Sequence, residues 1–397
     1  METSDVFQSL RYASAGTSGA PMSAPRICMP TWRNFAHKAF RCALYEAQDV
    51  LREIDDVDMI PLDLTWAARV PEAWLRNPLY HDVTRKIMFA NLGLKKVRLR
   101  RKYDLFVAVC NTYWDLPYIN AIDNWREHCK VSVCWIDEMW AAAIAGYKHW
   151  LHALKQFDYV FMGCHGSVGA LARAANRPCY WLPAGIDTLR FSAFPHPPAR
   201  VIDVYSIGRR HEGVHLELLR ESLRDRLFYV HDSLGAANAN VYDYRQHRQM
   251  YANFARRSRY FLVASAKMNA NYETHGQIEI GHRYFEGAAA GAIMVGEAPN
   301  CDAYRQLFDW PDAVVTIQPD GSDTMAVLND LSADQERSAD IRMRNSRESL
   351  LRHDWGYRWT EMFRVAGVDP PRRWPARQKR LGDLADQITG MRAVTTH

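Results

Sequence analysis

From Arg26 to Ile317 the chain alternates short apolar runs with amphipathic stretches, and the alternation is interrupted once, at FSAFPHPPAR (Phe191–Arg200). No other feature constrains the fold as much. A run such as Leu105-Phe106-Val107-Ala108-Val109 has no polar face, the form a strand takes when helices cover both sides of a parallel sheet. The first half offers strands at Arg26–Pro30, Asp58–Leu62, Lys102–Cys110, Lys130–Ile136, Asp158–Gly163 and Tyr180–Leu182, with helices at Asn34–Ile54 and Ala141–Gln156. The second offers strands at Val201–Ser206, Leu227–Val230, Tyr260–Ala264, Ala292–Val295 and Ala313–Ile317, with helices at Gly213–Leu223, Tyr244–Arg256 and His282–Ala290. The three prolines of the interruption make a stiff connection that neither a helix nor a strand would carry. The pattern predicts an α/β protein of two doubly wound, Rossmann-like domains facing a central cleft. Its expected parts are a flexible tail (1–25), an N-terminal Rossmann-like domain (26–190), a C-terminal Rossmann-like domain (191–365) and a helical extension (366–397). Ligands of open α/β sheets bind at the carboxyl ends of the strands, so the cleft is the expected active site.

Composition narrows the class. With 397 residues, 48% hydrophobic and 24% charged, the chain suits a globular protein with more than one core and excludes wholesale disorder and coiled-coil fibres. Its longest apolar stretches, near Ala141–Tyr147 and Ala288–Val295, fall short of the roughly 18–20 residues that span a bilayer. The first 25 residues lack the basic start and apolar centre of a secretory signal, so a cytoplasmic location is expected. The eight cysteines form no CxxC pair and read as reduced thiols. The net charge of +5 does not demand nucleic acid, but six positive charges crowd into Lys95–Lys102 and a second basic run spans Arg372–Arg380. The first run suits contact with an anionic membrane or a polyanionic acceptor; without interleaved aromatic residues it does not suit stacking on bases.

Three segments carry chemistry. In QIEIGHRYFEGAAAGAIMV (Gln277–Val295), Gly281 precedes a helix whose first turn holds His282 and Arg283. Free backbone N–H groups and the positive end of the helix dipole suit a diphosphate there, and Glu286, one turn on, suits the vicinal hydroxyls of a ribose. In VYSIGRRHEGVHLEL (Val204–Leu218) a strand ends at Gly208, where backbone approaches closely, and Arg209 and Arg210 follow as forks for phosphate oxygens. The third segment, WLPAGIDTLRF (Trp181–Phe191), leads into the proline connection.

Taken in chain order, these segments resemble the GT-B glycosyltransferases of the "glycosyl transferases group 1" class, closest to its spore-maturation-protein-like branch. PAGIDTLRF is similar to that family's P-N-G-V-D-x-x-x-F, with Ala184 for Asn. IGRRHEGVHL is similar to G-R-x-x-x-K-G, with Glu212 for Lys, and HRYFEGAAAGAIMV to R-x-F-E-A-x-A-x-G. HDWGYRWTEMF resembles the branch's H-x-W-x-x-R-W helix, and the likeness covers about residues 100–365. It implies a metal-independent, hexosyltransferase-like transfer, expected to be retaining, from a nucleoside-diphosphate sugar held by the nucleotide-sugar-binding domain (191–365) to an acceptor on the acceptor domain (26–190): a glycan, a lipid-linked molecule or a small molecule. Glu286 matches the second glutamate of the family's E-x7-E motif; Ile278 stands where the first belongs, and Glu279 is one residue off register. Lys267 is the candidate substitute for the missing phosphate-loop lysine. VSVCWIDEMW aligns with the strand whose end faces the donor sugar, which makes Asp137 or Glu138 a candidate base or sugar ligand, with His165 as rival. Trp114, Trp135 and Trp140 are candidates for an acceptor platform. Asp56-Val57-Asp58 has the spacing of a metal-binding DxD but no partner pattern, and the phosphate and dinucleotide loops of kinases and dehydrogenases are absent. The alternative is a noncatalytic GT-B-fold protein that recruits a polyanion or a protein partner.

Overall fold

The computed structural model describes residues 24–65, 93–233 and 239–395; all but the last two residues of the tail expected over 1–25 lie outside the described residues. The first lobe comprises β1 (Ile27–Thr31), α1 (Cys42–Ile54), β2 (Val57–Pro61), β3 (Tyr103–Cys110), β4 (Cys129–Ile136), β5 (Tyr159–Met162), α2 (Val168–Ala175) and β6 (Cys179–Trp181). Its strands pair in parallel as one six-stranded sheet in the order β2-β1-β3-β4-β5-β6. The second lobe comprises β7 (Ile202–Ser206), α3 (Glu212–Ser222), β8 (Tyr229–His231), α4 (Tyr244–Arg256), β9 (Ser258–Val263), α5 (His282–Ala289), β10 (Ile293–Gly296) and β11 (Val315–Thr316). Its five strands are also parallel, in the order β11-β10-β9-β7-β8.

β3 shows why its sequence has no polar face. Leu105, Val107 and Val109 pack on one side of the sheet with Trp135 and α1, while Phe106, Ala108 and Cys110 pack on the other with Trp125 and Phe157. Alternating side chains thus enter two cores. All eight cysteines are free thiols.

Beyond β11 the chain runs through α6 (Gln335–Arg352), α7 (Trp355–Ala366) and α8 (Trp374–Thr395). Asn345 of α6 donates to the Ala292 carbonyl at 3.0 Å, holding that helix to the second lobe. The helical run breaks at His353-Asp354, and the Asp354 carboxylate caps α7 through the Gly356 N–H at 2.9 Å. Trp355, Trp359, Met362 and Phe363 then present a helical apolar stripe that joins the cluster of Ile27, Val107 and Trp135, and the Trp359 indole donates to the Ala47 carbonyl of α1 at 3.0 Å. Residues 355–365, grouped by sequence with the second domain, therefore pack on the first lobe; α8 starts beside α1, where Arg377 pairs with Glu53 at 2.7 Å, and then runs along α6.

One expected helix is absent. Ala141–Gln156 forms a series of one-turn pieces instead. Gly146 weakens a continuous helix, and the segment is drawn onto Tyr113, whose ring centroid lies 3.9 Å from Tyr147 and 5.9 Å from Trp150.

Candidate active site

Both sheets direct the carboxyl ends of their strands to the cleft, and in the second lobe the strand order reverses at β7. β7 leaves the sheet through Gly208, whose φ of +82° is a conformation that favours glycine. A Cβ at Gly208 would lie 3.8 Å from Arg283 Nε, so this turn sits against the first turn of α5. Gly281 is the N-cap of α5 and brings no side chain to its first amide groups, which leaves N–H donors and the positive dipole end for an anion.

Glu286, only 1% exposed, accepts from Arg283 one turn earlier and from Arg248 of α4. Burial pushes its carboxyl pKa up, but the two guanidinium ions outweigh that and bring it down to about 2. Arg248 in turn donates to Glu46 of α1 at 2.8 and 3.1 Å. A buried chain of alternating charge, Glu46–Arg248–Glu286–Arg283, thus runs from the first lobe into the second.

The two arginines of the β7 turn differ. Arg210 is held by the Asp232 carboxylate at 2.6 Å and by the Asp232 carbonyl at 2.6 Å. Arg209 is exposed and has no ion pair among the described residues. Burial raises the Glu273 carboxyl, but Lys267 and, more weakly, Arg209 bring it below its usual range. Lys267 joins Glu138 of the first lobe at 2.6 Å and also binds Glu273, so its ammonium is engaged there rather than with the Gly208–Arg210 turn.

The opposite wall comes from the ends of β4 and β5. Asp137, just past β4, meets His282 of α5, whose Nε2 lies 3.2 and 3.1 Å from its two oxygens. Burial lowers the His282 pKa, but Asp137 more than compensates and raises it above the usual histidine value. Glu138 accepts from the Trp140 indole at 3.0 Å besides pairing with Lys267. The His165 ring stands edge-on to Trp181, at 4.7 Å between centroids. The N–H groups of His165 and Gly166 donate to Glu279 at 3.0 and 2.7 Å. A Cβ at Gly166 would meet Gln277 Nε2 at 3.0 Å and Glu279 Oε1 at 3.1 Å, so glycine allows this docking. Gln277 adds a bond from the Ala141 N–H at 2.9 Å. Glu279 is buried on the first lobe, while Ile278 is 42% exposed.

Of the tryptophans named as an acceptor platform, Trp135 is core, its indole bonded to the Leu182 carbonyl at 2.9 Å. Trp140 is buried beside Glu138, and Trp114 stays half-buried, 4.9 Å from Tyr113. In the basic run, Lys96 pairs with Asp123 at 2.6 Å and Arg101 with Asp58 at 2.6 Å, and Lys102 donates to the Glu127 carbonyl at 2.5 Å. Asp56 is taken by Arg372 and Arg373, so both carboxylates of the DxD spacing are engaged by cations. A surface hollow of about 660 Å³ is lined by Arg190, Arg245 and Met250, on a face of α4 other than the one that carries Arg248.

Sequence reading missed Glu46, Arg248 and the partners of His282 and Glu279. The available signal for Arg248 was its place at the head of a buried stripe with Tyr251, Ala252 and Ala255.

No sequence among curated proteins matches this chain. A family model described as glycosyl transferase-like matches residues 209–382, from the β7 turn into α8. Among solved structures the chain is similar to HepE of Anabaena in complex with UDP and glucose, at 12% identity over 86% of this chain and 99% of that one, with a TM-score of 0.51. It is similar to an alpha-glucosyltransferase in complex with UDP and a 13-mer DNA, at 12% identity over 86% and 99%, with a TM-score of 0.50. It also resembles a UDP-forming alpha,alpha-trehalose-phosphate synthase from Burkholderia vietnamiensis, at 11% identity over 89% and 99%, with a TM-score of 0.50. These likenesses are of fold. The chain has the GT-B fold, two Rossmann-like lobes across a cleft, and its residues 209–382 are similar to the glycosyl transferase-like family. Among the described residues no helix is long and apolar enough to cross a membrane.

Proposed function

We propose that the protein is a glycosyltransferase that moves a hexose from a nucleoside-diphosphate sugar to an acceptor hydroxyl, with retention and without a metal. One observation carries the reading: Gly208, the uncapped start of α5, Arg283 and Glu286 meet at the strand-order switch of the second lobe. The nucleotide's diphosphate lies on the α5 amides beside Arg283 and Arg209, and Glu286 accepts from the ribose hydroxyls once Arg283 turns from it to the diphosphate. As the bond from the sugar to the diphosphate breaks, charge builds on a phosphate oxygen already faced by oriented dipoles and guanidinium groups. The first lobe holds the acceptor, and lobe closure excludes water that would hydrolyse the donor. The acceptor is a glycan, a lipid-linked molecule or a small molecule. Lys95, Arg98 and Arg100, exposed and without acidic partners among the described residues, support peripheral contact with an anionic membrane.

Calorimetric titration with UDP, GDP and dTDP tests the reading. Binding of at least one is expected, and binding of none by folded protein rejects it. A noncatalytic GT-B binding protein is the second reading, favoured by Glu279 being engaged on the first lobe while Ile278 stands at the motif position. Nucleotide binding without donor hydrolysis or transfer across an acceptor panel decides for it.

A further inference from the structure

The donor reading leaves one group at the centre of the cleft without a role. His282 is the first residue of α5, next to Gly281 and Arg283, where that reading places the diphosphate. It is also the point at which the first lobe reaches this helix, because Asp137 presents both carboxylate oxygens to Nε2 at 3.1 and 3.2 Å. Nδ1 has no hydrogen-bond partner among the described residues, and the side chain keeps a quarter of its surface exposed. The imidazole is therefore fixed through one nitrogen by the first lobe, with the other free to donate at the start of a helix in the second.

We propose that His282 is a catalytic cation of the diphosphate site, oriented and kept protonated by Asp137, which acts as a positioning residue and not as the base. The proposal rests on the donor reading and gives it a device that depends on closure: only when the lobes meet does Asp137 hold the imidazolium in place. In the transfer, the bond between the sugar's anomeric carbon and the diphosphate oxygen breaks with its electron pair on that oxygen. The acceptor oxygen forms the new bond to carbon, and the proton it sheds passes to the diphosphate oxygen. His282 gains and loses no proton. It donates a charge-assisted hydrogen bond from Nδ1–H to the departing diphosphate.

The charged groups around His282 bear on its protonation. Asp137 at the end of β4 and Glu286 on its own helix favour the imidazolium, and Arg248 of α4 opposes it. Glu138, beside Asp137, is occupied by Lys267. The imidazolium persists below the raised pKa and disappears as pH rises through it.

Calorimetric Kd values from pH 5.5 to 9 test the proposal, using whichever of UDP, GDP or dTDP binds the wild type, with His282→Gln and Asp137→Asn as variants and thermal melts to check folding. Subtracting the His282→Gln curve removes the nucleotide's own ionisation. At low pH His282→Gln should bind about tenfold more weakly than wild type, the deficit vanishing at high pH. Asp137→Asn should keep the low-pH affinity and lose it at a lower pH than wild type. A His282→Gln curve superimposable on wild type overturns the proposal even though the nucleotide binds, as does an Asp137→Asn midpoint that does not move. If the wild type binds no nucleotide, the donor reading fails and this proposal with it.

Discussion

The two walls of the cleft are built on different plans. On the second lobe, the groups assigned to the donor come from the end of one strand and the first turn of one helix. A Cβ at Gly208 would reach Arg283 there, and Arg283 and Glu286 are three residues apart. On the first lobe, Asp137, Glu138 and His165 follow two different strands, and each is engaged by a residue of the opposite lobe: His282, Lys267 and Glu279. The second-lobe wall thus draws its groups from one contiguous turn, although Arg248 and His282 link it to Glu46 and Asp137 across the cleft. The acceptor wall is completed by contact with its neighbour, so its geometry depends on closure.

The Glu46–Arg248–Glu286 chain ties the walls together, and breaking it should produce the largest effect. Arg248→Met leaves two buried carboxylates short of their shared cation, at an expected cost of about 3–5 kcal/mol in chemical denaturation. Replacing all three charges, as in Glu46→Gln/Arg248→Met/Glu286→Gln, should recover most of that loss, because a buried ion chain adds little over a neutral replacement. A single variant as stable as wild type would mean that the lobes do not share this chain in solution.

The same contrast governs what the sequence made legible. Strand runs such as Leu105–Val109 and the α5 start are local patterns, and a parallel sheet with a helix N-terminus at its carboxyl edge follows from them directly. Cross-lobe partners are not local. Arg248 and Glu46 lie about two hundred residues apart, and each alone reads as an ordinary charged helix residue. Their visible trace is complementary spacing, Glu46 and Asp49 on α1 against Arg245 and Arg248 on α4. Glu279 was beyond reach for another reason: its partners are backbone N–H groups, which carry no residue identity. The return of α7 to the first lobe was hidden because an apolar stripe states that a helix face is buried but not against which sheet.

Acid sharpens the comparison next. Glu286 ionises at about 2 in the folded protein against an ordinary value of 4.5. A depressed folded pKa gives stability that is fully present above pH 4.5 and lost as pH falls toward 2, on the order of 3 kcal/mol for this shift. Measured by denaturant midpoints across that window, wild type should lose roughly 3 kcal/mol more than Glu286→Gln. Parallel losses would show that the arginines do not hold this carboxylate ionised.

The smallest effect is expected at Glu279, whose bonds to the first-lobe wall go to backbone N–H groups. Glu279→Gln keeps the shape of the side chain but sets an amide where a carboxylate accepts from His165, Gly166 and Gln277, at a cost of about 1–3 kcal/mol. Because the lost bonds join the lobes, the cost should fall on closure more than on folding. Hydrogen exchange at the His165 and Gly166 amides should then speed up by roughly five- to 150-fold, since that energy becomes an opening free energy. Exchange on the donor wall, within α5, should stay as in wild type, because its amides depend on its own lobe. Equal acceleration on both walls would show that the second lobe also needs closure to hold its form.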